Sequence, residues 1–296
     1  MSRVAISNDV PVSSLVAMDI TDPVGSFLPY FVTERNLSLA WYRASSASLS
    51  PGVKALAPLV VTVTGFEKGE PNETLPVRSA IDVALSAYAT EQNAKSKSPK
   101  ERDPLTCRVV ANTIFPRSLW TPGVSRHSLY ARYRAMIPRL KRRGSPRGLY
   151  FERLINYGRG PEGGNQLEHI IASYGAGVRR ASAFQATICD PERDSTRQPL
   201  LGFPCLQQIA VRPDGQTLSI TGFYGTQYLF ERAYGNYLGL CWLGQFLAHE
   251  MGLTLTRMTC VTSYAPFSAD TRQRVRQLNH NVASLLQDEI GPAQNV

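Results

Sequence analysis

Residues 227–251, QYLFERAYGNYLGLCWLGQFLAHEM, hold a dense run of apolar side chains long enough for a helix of about seven turns. Apolar residues occupy every side of such a helix, and a helix that is apolar all round must be buried. The stretch therefore predicts a core helix that the rest of the chain has to surround.

Strand patterns occur along the chain before this helix. Two runs joined by the turn sequence RPDGQ predict a hairpin, and apolar, β-branched runs earlier in the chain predict further strands. The predicted strands are 39–44 (LAWYRA), 56–66 (LAPLVVTVTGF), 107–115 (CRVVANTIF), 179–188 (RRASAFQATI), 206–213 (LQQIAVRP) and 217–225 (TLSITGFYG).

Three other segments predict helices. Residues 73–92 carry apolar side chains at helical spacing after an early proline, residues 128–144 are basic and interrupted by Pro138, and residues 164–177 end in glycines. The polar segment 93–104 predicts a solvated loop. Because strands and helices mix without a regular βαβ alternation, the predicted fold class is α+β.

Composition and charge bound the possible functions. The 296-residue chain is 43% hydrophobic and 19% charged, which is typical of a globular protein with a sizeable core. Its net charge of +9 favours anionic partners such as nucleotides, nucleic acid or another subunit. No apolar run suits a signal peptide or a membrane-spanning helix, so we expect a cytoplasmic protein without membrane contact.

The five cysteines include no CxxC pair, and five is an odd number in a chain without secretion signals. We therefore expect reduced thiols. The four histidines do not combine with the cysteines at ligand spacing, so no metal site is expected.

Four segments carry information through their order along the chain. They are 112–119 (NTIFPRSL), 164–171 (GNQLEHII) with 178–180 (VRR), 202–219 (GFPCLQQIAVRPDGQTLS) and 230–240 (FERAYGNYLGL). Together they resemble the thymidylate synthase family, whose matching phrases are a Ser-Ile-Phe-Gly strand and turn, an Asp-Gln-Ile helix with Ser-Arg-Arg, a Pro-Pro-Cys-His strand with its hairpin, and Gln-Arg-Ser-x-Asp-x-Phe-Leu-Gly-Leu. We predict a thymidylate synthase-like domain at 76–296 and an N-terminal extension packed on it at 1–75.

The resemblance implies a mixed sheet with a long buried core helix and a homodimer formed through sheet packing. It also implies a transferase that adds a one-carbon unit, methyl or hydroxymethyl, to C5 of a pyrimidine nucleotide through a cysteine adduct at C6. The implied cofactor is 5,10-methylenetetrahydrofolate. The alternative is a non-catalytic nucleotide-binding or scaffold protein that retains the fold.

The resemblance also assigns residues. Cys205 falls on the nucleophile, and neighbouring arginines favour its thiolate and match the oxygens of a phosphate dianion. The implied phosphate ligands are Arg179, Arg180, Arg232 and Arg108, with Arg102 as an alternative to Arg108. The implied sugar and base contacts are Tyr264, Gln207 and Asn236. In the family the tandem arginine pair comes from the other subunit.

Several positions depart from the family pattern. Leu206 and Leu243 replace the His and Asn beside the base, Gly235 replaces an Asp, and Thr262 replaces a His that grips the sugar. The insertion before Arg232 lets residues 225–227 occupy part of the phosphate site. The catalytic Glu has no clear match, and the stand-ins are Glu67, Glu70 and Glu152. These departures favour a substrate other than dUMP, such as a cytosine nucleotide.

Simpler interpretations apply to the same residues. Cys205 can be an inert buried side chain, Arg179 and Arg180 can form a solvated surface, and Arg232 can pair with a carboxylate. The basic run at 139–147 could follow nucleic-acid phosphates, but a solvated loop is the favoured interpretation. No RNP, zinc-finger or helix-turn-helix pattern accompanies the charge, so we do not expect nucleic acid as a partner.

Overall fold

A computed structural model describes residues 26–96, 104–144, 148–198, 203–268 and 270–287. The strands are β1 (Phe27–Glu34), β2 (Ala55–Val63), β3 (Phe66–Glu67), β4 (Glu70–Pro71), β5 (Gln185–Thr187), β6 (Leu206–Asp214), β7 (Thr217–Thr226) and β8 (Thr254–Pro266). The helices are α1 (Leu37–Ser48), α2 (Leu75–Ala94), α3 (Cys107–Ala111), α4 (Arg126–Gly144), α5 (Tyr150–Ile155), α6 (Gln166–Gly175), α7 (Pro191–Asp194), α8 (Tyr234–Glu250) and α9 (Arg272–Leu285).

A mixed six-stranded sheet organises the chain in the order β1-β2-β8-β7-β6-β5. The pairs β1–β2 and β7–β8 are parallel, and the other three pairs are antiparallel. The short strands β3 and β4 form a separate hairpin. The predicted α+β class is confirmed, whereas the thymidylate synthase-like fold stays a prediction.

The predicted core helix is confirmed as α8, which begins after a π-helical turn at Leu229–Ala233. It packs on β7 and β8 and is buried along nearly its whole length. A Cβ atom built on Gly235 would lie 2.5 Å from Val110 Cβ and 2.7 Å from the carbonyl oxygen of Cys107. Gly235, at the position of the family's Asp, therefore lets α3 approach the backbone of α8 closely.

Two predicted strands proved to be helices. Residues 39–44 lie in α1, where the Asn36 side chain accepts hydrogen bonds from the N–H groups of Ser38 and Leu39. Residues 107–111 form α3, where the Thr106 hydroxyl accepts a hydrogen bond from the Val109 N–H. In both cases a side-chain cap and packing against α8 outweigh the β-propensity of the apolar run.

The other local predictions were closer. The strands at 56–66, 206–213 and 217–225 are confirmed as β2, β6 and β7, and the three predicted helices as α2, α4 and α6. Of 179–188 only Gln185–Thr187 is a strand, because Ala181–Ala183 form a 3-10 turn. Helix α4 continues through Pro138. Part of the loop predicted at 93–104 belongs to α2, and residues 97–103 lie outside the described chain.

The described part of the predicted N-terminal extension is integral to the sheet. β1 and β2 occupy one side of it, and β2 pairs with β8 over Ala55–Val63. Helix α1 packs on β1 and β2, and Trp41 donates a 2.9 Å hydrogen bond to the carbonyl of Leu229. The division at residue 75 stays a prediction, but these elements share one core with the rest of the chain.

The sheet face opposite α1 and α8 is open among the described residues. Strand register places Phe31, Val60, Val261, Phe223 and Gln208 in one outward row, and Thr33, Thr62, Thr259, Thr221 and Ala210 in the next. Phe31 is 67% exposed and Phe223 is 38% exposed. We name this surface the open sheet face.

Candidate functional site

Cys205 lies immediately before β6, with its side chain partly exposed. Its carbonyl accepts a 3.0 Å hydrogen bond from the Gly225 N–H of β7, which fixes the backbone. Its own N–H donates to the Tyr150 hydroxyl at 3.3 Å. The described structure thus places a thiol at the end of a strand, next to the first residue of α5.

Opposing effects act on the pKa of the Cys205 thiol. Burial raises its pKa above the ordinary value, while a hydrogen bond from Tyr150 and the positive charge of Arg232 lower it. Burial is the largest of these effects, so the net result favours the protonated thiol. Burial also raises the pKa of Tyr150 to about 12, so its hydroxyl remains a neutral donor.

Arg232 is the predicted phosphate ligand whose positive charge lowers the pKa of the Cys205 thiol. It lies in the turn before α8, and its backbone N–H donates to the carbonyl of Tyr228 at 3.0 Å. Its side chain is exposed and makes no ion pair within the described chain. A guanidinium near a thiol, free of a carboxylate partner, is available to an anion.

The other predicted phosphate ligands are exposed and do not contact Cys205 in the described chain. Arg179 donates to the carbonyls of Tyr174 and Val178 and lies over the Tyr174 ring. Arg180 donates to the Ser182 hydroxyl at 2.8 Å. Both precede β5 on a surface segment, where a second subunit can meet them.

Arg108 is exposed on α3, and no ion pair involves it among the described residues. Its alternative, Arg102, lies outside the described residues. Their role in phosphate binding stays a prediction.

The predicted sugar and base contacts occupy separate places. The Gln207 amide donates to the carbonyls of Pro204 and Cys205 at 2.6 and 3.4 Å, so backbone groups already engage it. Tyr264 is 38% exposed on β8. Asn236 is buried within α8 at 5% exposure. Only Gln207 directly adjoins Cys205 in the described chain.

The residues that depart from the family pattern line the core. Leu206, Leu243 and Thr262 are each fully buried. Gln227 is 2% exposed, and its amide points to the thiol of Cys260 at 3.6 Å. The side chain of Gln227 therefore turns inward, and the occupation of part of a phosphate site by residues 225–227 stays a prediction.

The three carboxylates named as stand-ins for a catalytic Glu differ in environment. Glu67 is exposed, and Glu70 pairs with Arg117. Glu152 is buried, with one oxygen 2.6 Å from the Lys141 ammonium and the other without a partner in the described chain. None contacts Cys205 among the described residues.

Sequence reasoning missed two groups. Tyr150 is one, because a lone tyrosine gives no signal until the fold places it beside a thiol. Glu73 is the other: burial raises the pKa of its carboxyl, Arg78 and Tyr234 lower it, and the Tyr234 hydroxyl donates to it at 3.0 Å. The sequence marks Glu73 only as an acidic residue at the start of a helix.

Comparison with known proteins adds no family. No protein-family model matches the chain, and no curated protein sequence matches it. Among the described residues no group of three or more His, Cys, Asp or Glu side chains is placed to hold a metal ion. No described helix combines the length and apolar character needed to cross a membrane.

Proposed function

We propose that the protein is a cytoplasmic thymidylate synthase-like transferase, which adds a methyl or hydroxymethyl unit to C5 of a pyrimidine nucleotide. The observation that carries this proposal is the combination of the partly exposed Cys205 thiol with the neutral Tyr150 hydroxyl and the Arg232 guanidinium, which has no ion pair among the described residues. The order of family-like segments in the sequence supports the same activity.

In the proposed reaction the Cys205 thiolate gives its electron pair to C6 of the pyrimidine. A sulfur–carbon bond forms, and the pair of the C5–C6 double bond moves to C5 and the adjoining carbonyl. C5 then bonds to the one-carbon unit and loses its proton to solvent, while the unit's bond to its carrier breaks and leaves an exocyclic methylene on C5. Hydride, for a methyl product, or water, for a hydroxymethyl product, adds to that methylene. Departure of the thiolate from C6 restores the double bond.

Arg232 and Tyr150 support this step in different ways. A nucleotide phosphate against Arg232 gains charge-assisted hydrogen bonds from a planar donor fork. The neutral Tyr150 hydroxyl donates to the sulfur and favours its ionised form. Together they bring substrate and nucleophile into one place.

The proposed cofactor is 5,10-methylenetetrahydrofolate. The rings of Tyr150 and Phe203 lie with their centroids 5.2 Å apart beside Cys205, and Phe203 is partly exposed. The proposed contact for the flat pterin is the exposed part of the Phe203 ring, because aromatic rings stack on one another. When bound, the cofactor supplies the one-carbon unit and, for a methyl product, the hydride; a hydroxymethyl product takes its oxygen from water.

The proposal includes a homodimer formed through the open sheet face. Its outward row is largely apolar, and exposed apolar surface of this kind on a sheet favours burial against a partner. A second copy packed there can supply Arg179 and Arg180 to the phosphate at its neighbour's Cys205, as the resemblance implies.

Covalent trapping tests the proposal. The full chain is incubated with 5-fluoro-dUMP or 5-fluoro-dCMP and the folate, then analysed by denaturing mass spectrometry. We expect an adduct on Cys205, because fluorine cannot leave C5 as the proton does. Cys205→Ser should abolish the adduct, while Cys189→Ser, which removes the other partly exposed thiol, should retain it. An adduct that survives in Cys205→Ser, or none in the native protein, rejects the mechanism.

A second candidate is a non-catalytic nucleotide-binding or scaffold protein. The observation that favours it is that Leu206 and Leu243, at the positions of base-reading residues in the family, are fully buried and apolar. Calorimetry with a panel of pyrimidine nucleotides, with and without folate, separates the two. Nucleotide binding without folate dependence or turnover supports the scaffold.

A further inference from the structure

Five polar side chains gather in the core behind Cys205. They are Tyr224, Gln227, Tyr237, Cys260 and Thr262, and we name them the core polar cluster. Tyr224 belongs to β7, Gln227 to the turn that follows it, Tyr237 to α8, and the other two to β8. None is more than 2% exposed. The cluster is therefore closed to bulk solvent.

The sheet register brings this cluster to the strand of the nucleophile. Tyr224 pairs with Leu206 on one side and with Thr262 on the other. The next residue along β7, Gly225, donates its N–H to the carbonyl of Cys205 at 3.0 Å. Tyr224 thus lies one strand away from the thiol-bearing segment.

Hydrogen bonding within the core polar cluster is incomplete. The Cys260 sulfur contacts the Gln227 amide and the Thr262 hydroxyl at 3.6 to 3.9 Å, which is ordinary for sulfur, and the Thr262 hydroxyl donates to the Gln227 amide oxygen at 3.5 Å. The hydroxyls of Tyr224 and Tyr237 have no partner among the described residues. Buried hydroxyls without partners are costly, and in proteins ordered water commonly satisfies such groups.

We propose that the core polar cluster binds internal water that connects the Tyr224 hydroxyl with Tyr150 and Cys205, which makes Tyr224 a positioning residue for the thiolate. The water donates a hydrogen bond toward the Cys205 sulfur and accepts one from the Tyr224 hydroxyl. Because only hydrogen bonds are involved, no covalent bond breaks and no reductant or oxidant is needed. The Tyr237 hydroxyl completes the coordination of the water from α8.

The charged and titratable groups around Tyr224 agree with this placement. Burial raises the pKa of Tyr224 well above its usual value, and Cys260, Tyr150, Cys205 and Tyr237 raise it further. Tyr224 therefore keeps a neutral hydroxyl, which can donate a hydrogen bond.

The groups that face the Cys205 thiol come from several elements. Tyr150 of α5 and Arg232 of the turn before α8 favour the thiolate, and burial opposes it. The water-linked Tyr224 adds a further donor from β7. The inference deepens the proposed function because it rests on Cys205 as the nucleophile, but it requires no nucleotide.

Thiol alkylation across a pH series tests the inference. The full chain is treated with iodoacetamide, and the rate at Cys205 is followed by peptide mass spectrometry. Tyr224→Phe should raise the midpoint of the pH profile by roughly half a unit, which is about threefold slower alkylation at neutral pH. Tyr237→Phe should shift it in the same direction by less.

Tyr130→Phe is the matched control. The Tyr130 hydroxyl is also buried and without a partner in the described chain, but it lies on α4 against Phe246. We expect the wild-type midpoint for this variant. If Tyr224 only stabilises the fold, Tyr224→Phe changes the melting temperature and leaves the midpoint of the alkylation pH profile where it is in the wild type.

An unchanged midpoint in folded Tyr224→Phe overturns the inference. If that variant does not fold, Tyr237→Phe decides, and an unchanged midpoint there overturns it equally. A shifted midpoint in a protein that forms no nucleotide adduct rejects the proposed function and supports the water-linked thiol. The two failures are therefore distinguishable.

Discussion

Replacing Phe223 with Glu should dissociate the proposed homodimer. Phe223 lies on β7 in the outward row of the open sheet face and is 38% exposed. A phenylalanine side chain buries on the order of 200 Å², so roughly 75 Å² remains for a partner to cover. At about 25 cal/mol per Å² this contact contributes roughly 2 kcal/mol.

Two-fold symmetry doubles the effect. Each subunit presents the same residue to the interface, so the loss reaches about 4 kcal/mol, or roughly a thousandfold in the dissociation constant. Two buried and unpaired carboxylates add several kcal/mol in the same direction. Monomer stability should change little, because the side chain is not part of the core.

Sedimentation velocity over a range of protein concentrations measures the effect. The matched control is Val83→Glu, which places the same charge at a 73% exposed apolar residue on α2, away from the open sheet face. We expect a dimer for the wild type and the control and a monomer for Phe223→Glu. A Phe223→Glu protein that sediments like the wild type refutes the use of this face.

Further predictions concern stability and the thiol. Gly235→Ala should lower the free energy of unfolding, measured in urea, by about 1–3 kcal/mol, because the added methyl meets the backbone of α3. The control Gly175→Ala, whose added methyl has nothing within 4 Å, should be neutral or stabilising by up to about 1 kcal/mol. Equal stabilities for the two variants would contradict the close packing. Tyr150→Phe should raise the pKa of Cys205, since it removes a donor to the sulfur. The thiolate fraction at neutral pH then falls, so alkylation of Cys205 slows and recovers only at higher pH. A faster alkylation or an unchanged pH profile would contradict the assigned hydrogen bond.

The candidate site was predictable only in part. Cys205 and Arg232 stand out in the sequence because they sit in family-like segments, and the structure places them near each other. Tyr150 is more than fifty residues before Cys205, and no spacing rule connects them. Its role depends on where the fold places the start of α5 relative to Cys205, just before β6. The tandem arginines Arg179 and Arg180 face solvent in the described chain, and their part in a phosphate site stays a prediction.

The sequence by itself determined the elements whose patterns admit a single interpretation. Most of residues 227–251 are buried because the stretch is apolar on nearly every side, and the hairpin of β6 and β7 follows from two alternating runs around an Asp-Gly turn. Only the tertiary structure decided whether the short apolar runs in α1 and α3 form helices or strands. Such segments are too short to fix their own conformation, so caps and the contact with α8 choose it. The open sheet face and the grouping around Cys205 likewise arise only when distant strands pair, because register rather than local sequence decides which side chains meet.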